Sequence, residues 1–188
     1  KYLIEEHQVR PDHILVITFT KAAALEMQKR FCSMTEDKVY PVNFGTFHAI
    51  FFQILKQTYS FDASSIMKET QKKILLSEII ETIPQNDNFH FESDDSGEHI
   101  QRLLSEISTV KNSNLSLEEY KSDVCSEEIF SYIYQQYCKR MAMKKKVDFD
   151  DMVLLCYKLL KSRPDIVKQW QERFQYILID EFQDINPL

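Results

Sequence analysis

The chain alternates between two hydrophobic patterns, which predict strands and helices in turn. Residues 14–17 form a continuous apolar run, Ile-Leu-Val-Ile, typical of a strand covered on both faces in a parallel sheet. Strong helix formers follow at residues 21–30, and Thr20 stands where it can cap the first turn. A short strand over residues 42–46 leads in the same way into an apolar helix over residues 47–56. Strands that run straight into helices predict a parallel βαβ arrangement.

The middle of the chain, residues 57–146, lacks strand-like runs and carries amphipathic helical patterns instead. We predict helices over residues 70–82, 97–110, 117–124 and 126–143, and a surface loop over residues 84–96. Ser116 with Glu119 forms a capping-box pattern, and Ser126 marks the start of the fourth helix. Further helices are predicted over residues 152–160 and 166–174, followed by a strand at Tyr176–Ile179. The pattern therefore predicts an α/β domain interrupted by an all-helical insertion.

Composition and charge narrow the class of protein. Apolar residues make up 44% of the 188 residues and aromatic residues 12%, which argues against a disordered chain. The formal charge of −6 counts only weakly against a nucleic-acid partner, because a local groove can be basic on an acidic protein. No apolar stretch approaches the ~20 residues of a membrane span, and the four widely spaced cysteines favour reduced thiols over zinc or disulfides. We therefore expect a soluble, cytoplasmic protein with no membrane partner.

Two adjacent carboxylates, Asp180 and Glu181, follow the apolar residues 177–179 at the end of what we predict to be a buried strand. At that position one carboxylate can hold a magnesium ion while its neighbour polarises a water molecule. Nucleoside triphosphate hydrolysis needs this arrangement at the second of its two nucleotide motifs. An Asp-Glu pair taken alone is also compatible with an ordinary helix N-cap after a strand.

The phosphate-binding half of such a site has no counterpart in the sequence. The chain holds two glycines, Gly45 and Gly97, and no Gly-Lys-Ser or Gly-Lys-Thr step. A loop that cradles phosphates cannot be built from this composition. We therefore interpret the chain as part of a larger ATP-driven protein. The chain would begin after the phosphate loop of that protein and end just past its hydrolytic carboxylates.

Two further charged clusters are interpreted as helix ends and not as functional sites. Asp148, Asp150 and Asp151 could suggest a second metal site and a nuclease. Carboxylates at the first turn of the predicted helix 152–160 would also satisfy its free amides and oppose its dipole, and we favour this structural role. The basic run at residues 144–146 is similarly interpreted as a solvated helix end that the dipole favours.

Four short segments carry a more specific signal when they are considered together. They are residues 18–27 (Thr-Phe-Thr-Lys-Ala-Ala-Ala-Leu-Glu-Met), 45–49 (Gly-Thr-Phe-His-Ala), 148–153 (Asp-Phe-Asp-Asp-Met-Val) and 178–186 (Leu-Ile-Asp-Glu-Phe-Gln-Asp-Ile-Asn). In this order, with a helical insertion between the second and third, they resemble motifs of superfamily 1 DNA helicases of the UvrD/Rep/PcrA type. The resemblance spans essentially the whole chain, although the helical block carries no motif of its own.

The resemblance implies a partial RecA-like motor domain that moves along single-stranded DNA, 3′ to 5′, and unwinds duplex junctions. Residues 1–56 and 147–188 would form the RecA-like part, and residues 57–146 the inserted helical subdomain. ATP and Mg²⁺ would be the cofactors. Asp180 would correspond to the magnesium-associated carboxylate, and Glu181 to the residue that activates the attacking water.

The resemblance also assigns nucleic-acid contacts to four residues. Phe19 and Thr20 lie where the family presents an aromatic face and a hydroxyl to the DNA strand. Thr46 and His48 match the phosphate- and base-contacting pair of the second motif. The residues by themselves leave simpler alternatives open, because Phe19 could cap the core at a strand end and His48 could be a satisfied core residue.

One departure from the family pattern affects a basic residue. Many members read Thr-Phe-Thr-Asn-Lys-Ala-Ala, whereas residues 18–24 read Thr-Phe-Thr-Lys-Ala-Ala-Ala. A shift of one position rotates a helical side chain by about 100°, so the family's lysine role is not transferred to Ala22 and stays open for Lys21. We expect this chain alone to be inactive as a motor, and the alternative is a non-motor DNA- or protein-binding module from a degenerate helicase homologue. Any partner subunit stays unknown.

Overall fold

The computed structural model describes residues 1–36, 38–59, 61–83, 96–113 and 116–184. Almost all of the predicted loop 84–96 and residues 185 and 186 of the last motif lie outside these ranges. The chain divides into two compact units. The sheet unit comprises Lys1–Tyr59 and the chain from Leu155 onward, and the helical unit comprises Ser60–Leu154. The predicted domain boundaries at residues 56/57 and 146/147 stay a prediction.

The described elements alternate as the hydrophobic pattern predicts. In chain order they are α1 (Tyr2–Glu5), β1 (Ile14–Thr18), α2 (Lys21–Met34), β2 (Asn43–Thr46), α3 (Phe47–Thr58), α4 (Glu69–Ile80), α5 (Ser96–Asn112), α6 (Glu127–Met143), α7 (Phe149–Ser162), α8 (Pro164–Arg173) and β3 (Tyr176–Ile179). Short 3₁₀ turns lie at Pro11–His13, Ala63–Ser65 and Phe182–Asp184. The mixed α/β class with an all-helical insertion is confirmed.

The three strands form a parallel sheet in the order β2-β1-β3. Thr18 at the end of β1 lies in register with Thr46 at the end of β2, and Ile17 pairs with Ile179 of β3. β1 is the central strand and is largely buried, as its continuous apolar run predicts. Because all three strands point the same way, their carboxyl ends meet at one edge of the sheet.

Within the described residues the strand before the acidic pair is exposed, contrary to the expectation that it is buried. Ile177 is 54% exposed and Leu178 46% exposed, whereas Leu15 of β1 is 2% exposed. Both strands have the same kind of apolar sequence, but β3 lies at an edge of the described sheet and pairs with β1 alone. An apolar composition indicates that a strand can be buried. It does not specify whether the strand lies at the centre or at the edge of the sheet.

Two helices of the sheet unit begin within three residues of the end of a strand, and each is capped by a threonine. The hydroxyl of Thr20 accepts a hydrogen bond from the amide of Ala23 (3.1 Å) at the start of α2, as predicted. The hydroxyl of Thr46 does the same for the amide of Ala49 (3.2 Å) at the start of α3. A threonine that ends the extended chain and accepts from the first turn makes each strand-to-helix connection short and defined.

The helical unit is built around one apolar core shared by α4, α5 and α6. Five of its side chains have no exposed surface: Leu76, Ile79, Leu103, Ile133 and Tyr137. The predicted helices at 70–82, 97–110 and 126–143 are confirmed with small shifts in their ends, and Ser126 caps α6 through the amide of Ile129 (3.4 Å).

The predicted helix over residues 117–124 is wrong, because this segment forms a turn followed by bends. The Glu119 carboxylate accepts from the amide of Ser116 (3.0 Å), as the capping-box pattern requires, but the chain does not continue as a helix. Instead, Glu106 accepts from the amide of Asp123 (2.8 Å) and from the hydroxyl of Ser122 (2.6 Å). These side-chain bonds compete with the helical backbone ladder.

The four cysteines are free thiols, and Cys156 is the buried one. Burial raises the pKa of the Cys156 thiol to about 12, so almost none of it is thiolate at neutral pH. In native protein at pH 8, Cys156→Ala should leave the number of thiols labelled by a disulfide reagent unchanged. In denaturant the variant should show one labelled thiol fewer. Rapid loss of one thiol signal in the native variant would contradict this burial.

Among the described residues, no helix has the length and apolarity needed to cross a membrane.

Candidate functional site

The six residues singled out by the sequence lie at or just beyond the carboxyl ends of the three parallel strands. Phe19 and Thr20 follow β1, Thr46 ends β2 and His48 lies in the first turn of α3. Asp180 and Glu181 follow β3 directly. The parallel register therefore brings residues as far apart in the chain as Phe19 and Glu181 to one edge of the sheet.

Asp180 extends the pairing of β3 by one residue, because its amide donates to the carbonyl of Ile17 (3.0 Å). Its side chain is half-buried, and no hydrogen bond or ion pair within the described part of the chain engages its carboxylate. The backbone of this residue is therefore fixed while its carboxylate oxygens stay available. Carboxylate oxygen is a ligand that suits Mg²⁺, which proteins usually hold through one or two carboxylates together with substrate phosphates and water. The residue fits a magnesium ligand on these grounds.

Glu181 has a left-handed backbone conformation, with φ = 52°. Three other described non-glycine residues have positive φ. Glu36 and Lys145 lie just beyond the ends of α2 and α6, where a left-handed residue commonly terminates a helix, and Gln8 lies three residues after α1. Glu181 ends no helix and lies between β3 and a 3₁₀ turn. Such a conformation is unfavourable for a residue with a β-carbon, and strained residues of this kind cluster at functional sites. The Glu181 side chain is exposed, and its carboxylate accepts a hydrogen bond from the side-chain amide of Gln183.

Phe19 is exposed over 41% of its surface and contacts the ring of Phe47, with 5.3 Å between the ring centroids. The connection that carries it is held by Thr18, whose buried hydroxyl donates to the carbonyl of Thr20 (2.9 Å). Part of the Phe19 ring is therefore packed against Phe47 at the strand end, and part of it is exposed. Its ring has surface available for a ligand.

Thr46 is half-buried at the N-terminus of α3, and His48 is exposed in the first turn of that helix. The alternative of a core histidine is therefore wrong. Lys21, the residue that departs from the family pattern, is the first residue of α2 and lines a groove of about 380 Å³. Leu25 and Gln28 line the same groove from α2, and Thr46 lines it from the end of β2.

Phe47 lies at the same edge, although the sequence motifs predict no role for it. Each of the strands β1 and β2 ends in a threonine followed by a phenylalanine, and the two threonines lie in register. This repeated Thr-Phe pair is the signal that could have identified Phe47. Its meaning depends on the strand register, which the sequence pattern does not specify.

The acidic cluster after the basic run lies in the helical unit and is engaged by protein groups. The Lys111 ammonium lies 2.8 Å from an oxygen of Asp148 and 2.7 Å from one of Asp151. Asp148 and Asp151 each accept from the other's backbone amide, at 2.8 and 3.1 Å, and the side-chain amide of Asn112 donates to Asp150 (2.7 Å). The predicted capping role is confirmed, with Asp148 directly before α7. Among the described residues, no group of three or more His, Cys, Asp or Glu side chains could hold a metal ion.

In this cluster, ion pairing outweighs burial in setting the pKa values of Lys111 and Asp148. Burial alone would lower the pKa of Lys111, but Asp148 and Asp151 outweigh it and hold that pKa above its usual value. Burial alone would raise the pKa of Asp148, but the Lys111 ammonium and hydrogen bonds to its carboxylate hold it below its usual value. Lys111 and Asp148 are therefore charged at neutral pH, although each side chain is only 3% exposed.

The parallel sheet, its flanking helices and the helical insertion make this chain a partial RecA-like α/β domain. The model of the UvrD/REP helicase N-terminal domain matches residues 1–188, and the chain belongs to this family.

Individual relatives agree with this assignment. The chain is 31% identical to YjcD of Bacillus subtilis (strain 168) over 194 residues, which cover 100% of this chain and 24% of that protein. It is 30% identical to the ATP-dependent DNA helicase PcrA of Leuconostoc citreum and 29% identical to PcrA of Staphylococcus aureus (strain Mu50). Each PcrA match covers 98% of this chain and 25% of the relative. The chain thus spans about a quarter of the length of the curated relatives it matches.

Proposed function

We propose that the full-length protein is an ATP-dependent DNA helicase that couples ATP hydrolysis to movement along single-stranded DNA, 3′ to 5′, and to unwinding at duplex junctions. Family membership and the PcrA relatives support this proposal. The observation that carries it is the single sheet edge. At that edge Glu181, with its left-handed backbone, lies beside Asp180, whose carboxylate no other described residue engages. The same edge carries the exposed ring of Phe19.

Asp180 and Glu181 divide the chemistry of hydrolysis between them. Asp180 would hold Mg²⁺ together with the ATP phosphates, and the bound ion would neutralise charge that develops on the transferred phosphoryl group. Glu181 accepts a proton from the attacking water and orients that water toward the γ-phosphate. Its left-handed backbone fixes the direction in which the carboxylate leaves the chain, which suits a reaction that depends mainly on positioning.

Four residues on the neighbouring strand ends contact the DNA strand in this proposal. The Phe19 ring stacks on a base, an interaction that does not depend on base identity. The Thr20 and Thr46 hydroxyls each accept from a helix amide, and each can donate its proton to a phosphate oxygen. His48 lies in the first turn of α3, two residues after Thr46, and contacts phosphate or base.

The phosphate-binding loop is supplied in this proposal by a part of the full-length protein other than these 188 residues. The support is compositional, since the chain has two glycines and no Gly-Lys-Ser or Gly-Lys-Thr step. The chain alone should then hydrolyse no ATP. We further infer that the helicase acts in the cytoplasm and that residues 57–146 form its inserted subdomain.

The test is ATP hydrolysis by the full-length protein with and without single-stranded DNA. Strong stimulation by DNA is expected for a translocating motor. Intact DNA binding with no hydrolysis under any condition would overturn the proposal in favour of a non-motor binding module.

A further inference from the structure

Three phenylalanine rings form a row at the ends of β1 and β2. The rings of Phe19 and Phe47 are 5.3 Å apart and inclined by 53°, and those of Phe47 and Phe51 are 6.2 Å apart and inclined by 47°. Phe19 is the exposed member, whereas Phe47 and Phe51 are half-buried. Both centroid distances lie within the range of about 4.5–7 Å at which aromatic pairs interact. The row therefore runs from an exposed ring to rings anchored on α3.

The strand register produces the contact between the first two rings. Thr18 and Thr46 are paired in the sheet, and each is followed directly by a phenylalanine. Phe19 lies in the two-residue connection between β1 and α2, whereas Phe47 is the first residue of a capped helix. A residue at the start of a capped helix thus packs against the more exposed ring.

We propose that Phe47 is a positioning residue that holds the Phe19 ring in the orientation in which it stacks on a DNA base. This inference rests on the proposed single-stranded DNA site. Phe47 contacts the Phe19 ring, and Phe19 keeps 41% of its surface exposed for a ligand. A ring that is already oriented loses less rotamer freedom when it stacks, so affinity rises without a new contact to DNA.

A purely structural role for Phe47 would have different consequences. If the ring only packed α3 against the sheet unit, its removal would lower stability without any dependence on Phe19. A positioning role instead predicts that the effects of the two residues on DNA affinity are coupled. The dependence on salt should not change, because neither ring neutralises a phosphate.

The experiment measures the Kd of the full-length protein for fluorescein-labelled oligothymidine by anisotropy. Phe19→Leu should raise Kd about tenfold, which corresponds to about 1.4 kcal/mol of lost stacking. Phe47→Leu should raise Kd about threefold. The double variant should bind no more weakly than Phe19→Leu alone, because Phe47 acts through Phe19. Phe47→Tyr keeps the ring and should bind like the wild type.

A matched control and a second ring-free variant guard against loss of fold. Phe51→Leu removes a ring that contacts Phe47 and should leave Kd unchanged. Phe47→Met should repeat the effect of Phe47→Leu, with circular dichroism confirming the fold of each variant.

The outcomes separate the two proposals. If Phe19→Leu weakens binding but Phe47→Leu does not, or if the two effects multiply, the positioning role is overturned and the DNA site stands. If Phe19→Leu leaves Kd unchanged, the stacking role of Phe19 fails and the positioning role fails with it.

Discussion

Replacing Glu181 with Gln should lower the rate of DNA-stimulated ATP hydrolysis by the full-length protein by about 10²–10⁴-fold. The amide keeps the size of the carboxylate but cannot accept a proton from the attacking water. Binding of ATP and of single-stranded DNA should persist, since Asp180 and the residues after β1 and β2 are untouched. The variant should therefore lose kcat and keep a KM near that of the wild type.

Glu36→Gln provides a matched control for this substitution. Glu36 is also an exposed glutamate with a left-handed backbone, φ = 53°, but it lies beyond the C-terminus of α2. Its replacement repeats the chemical change at the same kind of backbone site away from the carboxyl edge of the sheet. Steady-state hydrolysis with oligothymidine should give wild-type kcat for this control. Equal losses in both variants, or an active Glu181→Gln protein, would remove the water-activating role from Glu181.

The elements that the sequence predicts well are those whose signal is local. The run at residues 14–17, the cap at Thr20 and the amphipathic pattern of α6 each lie within a few turns of chain, and each is confirmed. The order of strands and helices is also predicted correctly, because the signals for a strand, a helix cap and the helix that follows lie in adjacent residues. The sequence likewise predicts the carboxylate pair Asp180 and Glu181 at the end of a strand, because the apolar run and the pair are adjacent.

What the sequence did not predict depends on neighbours that are distant in the chain. The exposure of Ile177 follows from the place of β3 at the sheet edge, and an apolar run cannot specify that place. The contact of Phe19 with Phe47 follows from strand register. The left-handed backbone of Glu181 follows from the turn in which it lies, and its residue type gives no indication of it.

The buried cluster of Lys111, Asp148 and Asp151 is the largest feature that the sequence left unpredicted. The lysine lies 37 residues before Asp148, on a helix whose pattern reads as an ordinary apolar stripe with a basic end. Within the helical unit the ammonium lies between both carboxylates, and the Tyr137 hydroxyl donates to Asp148 at 3.2 Å. Buried charges of this kind need complete pairing, since removal of one partner leaves the others desolvated.

Lys111→Met should therefore destabilise the helical unit by about 3–5 kcal/mol. Methionine fills a similar volume but leaves two carboxylates without their cation, and Asp148 has almost no access to water. Hydrogen exchange followed by mass spectrometry should show peptides of α5 and α6 that open by global unfolding of the unit exchanging at least about 10²-fold faster. Lys139→Met makes the same change at an exposed position of α6 and should alter exchange little.

Removing the carboxylates as well should restore most of the loss, because the penalty comes from unpaired charge and not from a missing contact. We expect Lys111→Met combined with Asp148→Asn and Asp151→Asn to exchange at rates close to those of the wild type.

A pH series adds an independent check. The raised pKa of Lys111 means that its contribution to stability is present below its ordinary value of 10.5 and is lost as pH rises through the folded value. The difference between wild type and Lys111→Met should then narrow in alkali, where the wild-type ammonium loses its proton. A triple variant as unstable as the single one would show that packing, and not charge pairing, makes Lys111 indispensable.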